Sequence, residues 1–143
     1  MKVSPQLLRY DRAPLRRFLL LALPLLVLAM ALFHFTLEAF GRAPELAQPM
    51  PQWLTLGTWC LEAVGLAALF LLIHGRGNGR WLSGLLTGWI AWVFRGPLLV
   101  LAVVSFGGLA PGPWWALAFS WWVLYSLCGL LLGGVAAAAG LQA

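Results

Sequence analysis

WLTLGTWCLEAVGLAALFLLI (Trp53–Ile73), HGRGNGR (His74–Arg80) and WLSGLLTGWIAWVFRGPLLVLAVVSF (Trp81–Phe106) follow one another directly, and this stretch decides the fold. Two apolar runs, each long enough to cross a hydrocarbon core of ~30 Å as a helix, flank a short glycine-rich turn with two arginines. Only helices satisfy their own backbone hydrogen bonds in lipid, and the runs lack the alternation of a membrane β-barrel. The segment therefore reads as an antiparallel hairpin of transmembrane helices.

Working outward, Phe18–Phe40 and Trp114–Ala138 are two further runs of the same kind. The prolines Pro44, Pro49 and Pro51 make a loop of 41–52, and GGLAPGP (107–113) reads as an uncharged turn. The expected architecture is an all-α integral membrane protein with a four-helix domain over 18–138. Its spans are 18–40, 53–73, 81–106 and 114–138, between a basic arm (1–17) and a short tail (139–143). Composition agrees: 62% of the 143 residues are hydrophobic and 9% charged, too few charges to cover a water-facing surface. Mean hydropathy is +0.90.

Charge sets the expected orientation. Lys2, Arg9, Arg12, Arg16, Arg17, Arg76 and Arg80 fall on one side of this topology, and only Arg42 on the other. The positive-inside rule then places both termini in the cytoplasm. The same clustering beside spans explains the net charge of +5 without nucleic acid. Trp53, Trp114 and Trp115 fall at the outer interface and Trp81 at the inner one, as an aromatic belt requires. The basic arm and first run also have the order of a signal peptide, but the run is long and bulky and no A-x-A-like site follows closely, so it reads as a retained anchor. The arginine-, alanine-, glycine- and leucine-rich composition suggests a GC-rich bacterium and its cytoplasmic membrane.

Two ionisable residues lie deep within spans. Counted from Trp53 and Phe106, Glu62 is about 14 Å and Arg95 about 16 Å down. Neighbouring helices at that level predict an ion pair. Thr55, Thr58 and Gly65 share a face with Glu62. Gly84, Gly88, Ala91 and Ala102 form a small-residue stripe with Arg95, which is expected to turn it into the bundle. Gly96-Pro97 beside Arg95 is a candidate hinge, since proline removes a helix hydrogen bond. The pair reads either as a register-setting structural contact or as a relay or anion site. Its neutralisation favours the first.

Other motifs carry less. His34 and Glu38 share a helix face near the outer end, an interfacial polar pair with too few ligands for a metal. Gly84 and Gly88, and again Gly129 and Gly133, form GxxxG motifs suited to close helix packing, either within the chain or between copies. Cys60 and Cys128 differ in depth by roughly 10 Å, which separates them too far for a disulfide, and both are expected to pack as small residues. GRGNGR lacks the P-loop lysine and its strand–helix setting. No cofactor, metal or catalytic triad is indicated.

The expected function is that of a non-enzymatic accessory, interaction or protective subunit of a larger membrane assembly, in contact with lipid and with other membrane proteins or copies of itself. The alternative is a small oligomeric transporter or channel that uses Glu62 and Arg95. A lipid-modifying enzyme would need polar residues gathered at one interface, and only His34, Thr36 and Glu38 come near that.

Overall fold

In the computed structural model, residues 10–39, 51–107 and 111–142 are described, and nearly all of them are helical with no strand. The elements are α1 (Arg12–Ala39), α2 (Gln52–His74), α3 (Arg80–Val93), a wide π-type turn at Phe94–Leu98, α4 (Leu99–Gly107) and α5 (Pro111–Ala138). With α3, the turn and α4 counted as one span, four helices of 28, 23, 28 and 28 residues are long and apolar enough to cross a membrane. Leu20, Leu32, Phe35, Leu61, Phe106 and Phe119 are each more than half exposed. An apolar exterior of that extent fits a hydrocarbon solvent.

Two boundaries differ from the sequence expectation for one reason. The structure starts α1 at Arg12 rather than Phe18, and α5 at Pro111 rather than Trp114. Pro14, Pro111 and Pro113 read as loop signals, yet each sits in a first turn, where an amide has no intrahelical acceptor to lose. Pro97 lies mid-span and does have one to lose. There the chain widens into the π-type turn, which accommodates the ring without ending the span.

Each helix runs against its neighbours in the order α1–α2–α3–α5 around the bundle. Phe18 stacks on Phe70 at 5.4 Å, joining α1 to α2. The interior beside them holds Leu26, Ala63, Ala67, Cys128 and Leu132. Cys128 is buried, whereas Cys60 is exposed.

The most extensive contact joins α3 and α5, and glycine makes it possible. A Cβ on Gly84 would overlap the Gly129 carbonyl oxygen, and one on Gly129 would overlap that of Gly84. A Cβ on Gly88 would overlap the Tyr125 carbonyl, and one on Gly133 would press on the Trp81 ring. The two GxxxG motifs thus interlock with each other inside one chain. This also corrects the expected single stripe. Gly84 and Gly88 face α5, whereas Ala102 is exposed beyond the π-type turn, which changes the helical phase between Arg95 and Ala102.

Candidate functional site

Three helices place polar groups at one level. Glu62 is near the middle of α2, Arg95 near the middle of the α3–α4 span and Tyr125 near the middle of α5. Arg95 Nε lies 3.2 Å from Glu62 Oε1. Tyr125 donates its hydroxyl to Glu62 Oε2 at 3.3 Å. The guanidinium carbon stands 5.4 Å from the centre of the Trp121 ring, a cation–π distance. Glu62 therefore uses both oxygens, while the remaining guanidinium donors find no acceptor among the described residues.

This cluster borders a cleft of about 290 Å³, whose apolar walls include Leu66, Leu69, Ala91 and Phe94. The cleft opens sideways. The Arg95 side chain is 46% exposed and that of Glu62 24%. Arg95 does not turn into the bundle interior: with Ala91 and Phe94 it lines the cleft, toward the gap between α2 and α5. Sequence reasoning missed Tyr125 and Trp121. A tyrosine in mid-span, with a hydroxyl to satisfy, is a signal that could have found the first; aromatic stacking by a tryptophan has no spacing signature.

The remaining candidates separate from this cluster. Thr58 donates to the Thr55 carbonyl at 2.7 Å, and Thr55 to that of Pro51 at 3.5 Å, so both hydroxyls return to their own helix and leave the ion pair alone. Gly96 is buried under the Trp92 indole, where a Cβ would come within 2.8 Å of Nε1. That nitrogen donates to the Ala118 carbonyl at 2.8 Å. The Gly96-Pro97 segment is thereby pinned to α5. Trp92→Phe keeps the ring and removes the bond, and is expected to cost about 0.6–1.7 kcal/mol in a detergent unfolding titration.

His34 Nε2 is 3.1 Å from Glu38 Oε1, and the imidazole also meets Trp59 edge-on at 5.4 Å. The pair is exposed and stands at the opposite end of the bundle from His74. No group of three or more His, Cys, Asp or Glu that could hold a metal occurs among the described residues.

The end near residues 75–79 holds a second polar constellation. His74 Nδ1 meets the Asn78 carbonyl at 3.0 Å, Asn78 Nδ2 donates to the Ile73 carbonyl at 3.2 Å, and Ser83 Oγ reaches the Asn78 carbonyl at 3.4 Å. Tyr10 stacks over His74 and donates to the Leu71 carbonyl at 2.9 Å. Burial raises the Tyr10 pKa above its ordinary value, so the phenol keeps the proton this bond needs. No motif in the sequence announces this network, since His74 reads there only as a flank of a glycine-rich turn.

Comparison of the chain with protein-family models, with curated proteins and with solved structures finds no match.

Proposed function

We propose that this protein is a non-enzymatic subunit or protector within a larger membrane assembly, and that the cleft around Arg95 is where it meets its partner. One observation carries the reading: an arginine side chain 46% exposed at the mid-level of four apolar helices. A charge at a bilayer centre costs at least ~2.5–3.5 kcal/mol unless it is covered or hydrated. Glu62 covers one side. The Trp121 ring lies over one face. A polar group on a neighbouring helix covers what remains open, and Gly65 and Ala91 let that helix approach closely. The five arginines at the Tyr10–His74 end (Arg12, Arg16, Arg17, Arg76 and Arg80) support a cytoplasmic location for that end and for both termini, in the cytoplasmic membrane of a bacterium.

Transport by this chain alone has less support. Between the cluster and the His74 end, α2 runs Ala63–Ile73 without a polar side chain. Toward the other end, the hydroxyls of Thr58 and Thr55 are committed to their own helix.

A photoreactive phenylalanine at Phe94, on the wall of the cleft, tests the proposal in native membranes. The expected product is a protein adduct from position 94 and none from position 20, where Leu20 is exposed on α1. Lipid adducts alone at both positions would sink it.

A further inference from the structure

Both GxxxG motifs that could have joined two copies of this chain are already engaged. Gly84 and Gly88 meet Gly129 and Tyr125 inside one bundle, and Gly133 meets Trp81. The glycines left open within a span are on α2, where a Cβ on Gly57 or Gly65 would meet nothing within 4 Å. Gly65 lines the cleft beside Glu62 and Arg95. Close approach by another chain is therefore possible at the level of the ion pair, and no longer at the α3–α5 seam.

The bonding capacity of the pair limits what can cover it. Arg95 turns Nε to Glu62, and its Nη groups find no acceptor among the described residues. Glu62 already meets Arg95 and Tyr125, yet a carboxylate has about four lone-pair sites and can accept again. Both side chains line the cleft, so spare donors and spare acceptors stand side by side in a pair with no net charge. An occupant bringing a lone carboxylate would satisfy the guanidinium and add an uncompensated charge at mid-membrane, which is costly. One bringing donors alone would leave the Nη groups bare. A second carboxylate–guanidinium pair at the same depth supplies both and stays neutral.

A copy of this chain carries that pair. A two-fold axis along the membrane normal leaves every depth unchanged and reverses left and right across the contact. Glu62 and Arg95 stand side by side at one depth, on α2 and on the α3–α4 span. The rotation thus sets the carboxylate of each copy against the guanidinium of the other. Resting on the reading of this cleft as a protein-docking site, we propose that its occupant is a second copy of this chain, held by reciprocal bonds from each Arg95 to the other copy's Glu62.

Crosslinking of the full chain in native membranes, from a photoreactive phenylalanine at position 94, distinguishes the outcomes. The expected product is an adduct of twice the chain's mass. An adduct with a different protein and none at twice the mass would overturn the second copy while leaving the docking reading in place. Lipid adducts alone would overturn both. A self-adduct equally strong from position 20 would mark crowding rather than an interface, and would overturn the proposal too.

Exchanging the charges, Glu62→Arg with Arg95→Glu, tests the reciprocity. A chain so exchanged is again its own complement, but beside the parent it sets guanidinium against guanidinium and carboxylate against carboxylate. Parent and exchanged chains, coexpressed with different tags, are expected to give like-with-like adducts, with mixed ones about ten-fold weaker. The adduct of the exchanged chain with itself shows that it folds. Mixed adducts as strong as the like pairs would overturn the reciprocal contact. Should the exchanged chain fail to accumulate, the parent's adduct from position 94 decides the matter by itself.

Discussion

Gly88→Ala is expected to lower the stability of the bundle by about 1–3 kcal/mol, the usual cost of an extra methyl in a filled interior. Its Cβ would overlap the Tyr125 carbonyl oxygen, and the obstacle is backbone, which cannot swing aside as a side chain would. Relief requires α3 and α5 to part, and they share the largest contact in the fold. Between membrane helices that contact is made of dispersion and close approach, since the surrounding lipid is as apolar as leucine. Gly84→Ala and Gly129→Ala meet each other's carbonyls and should behave alike. Their double variant should fall short of the summed losses, because one separation of the helices relieves both clashes. Gly57→Ala is the control: its Cβ meets nothing within 4 Å, so stability should hold or rise slightly. The measurement is equilibrium unfolding in mild detergent titrated with a denaturing one. Equal midpoints for Gly88→Ala and Gly57→Ala would mean that the two helices are not closed on each other.

That interlock shows what was legible in the sequence and what was not. The apolar runs at 53–73 and 81–106 exposed the spans because hydropathy and length are properties of the chain itself. Gly84, Gly88, Gly129 and Gly133 also announced close packing through spacing alone. Which helix they pack against is a property of the bundle and not of spacing: Gly84 and Gly88 meet Gly129 and Tyr125 on α5. A wheel drawn with constant period carries Arg95 round with the glycines. The folded chain leaves it 46% exposed beside Glu62. Pro97 was visible in the sequence, but proline tells where a helix must yield and not whether it will kink, break or widen. The Tyr10–His74 constellation was hidden for another reason: it joins residues far apart in sequence through ring stacking and backbone carbonyls, neither of which leaves a motif.

Glu62→Leu is expected to destabilise the protein by about 2.5–3.5 kcal/mol, the cost of an uncompensated arginine at the middle of a span. It strands two donors at mid-level, the Arg95 guanidinium and the Tyr125 hydroxyl, both of which now bond to Glu62. Adding Arg95→Leu removes the charge but leaves the hydroxyl without an acceptor, which still costs about 1–3 kcal/mol. The compensated variant is therefore triple: Glu62→Leu, Arg95→Leu and Tyr125→Phe. Replacing a whole ionic cluster by apolar side chains is often neutral or stabilising, so this variant should unfold close to the parent in the same detergent titration. A triple variant as unstable as Glu62→Leu alone would mean that the cluster carries stability its parts do not account for. The triple variant also separates two roles that stability alone confounds. A cluster that only sets helix register becomes dispensable once apolar packing replaces it, and crosslinking from Phe94 to a neighbouring protein should survive. A cluster that receives a partner is missed in that experiment and nowhere else: the bundle folds, yet the adduct from Phe94 disappears. The Arg95 side chain, paired with Glu62, overlain by the Trp121 ring and still 46% exposed toward the cleft, makes the second result the expected one.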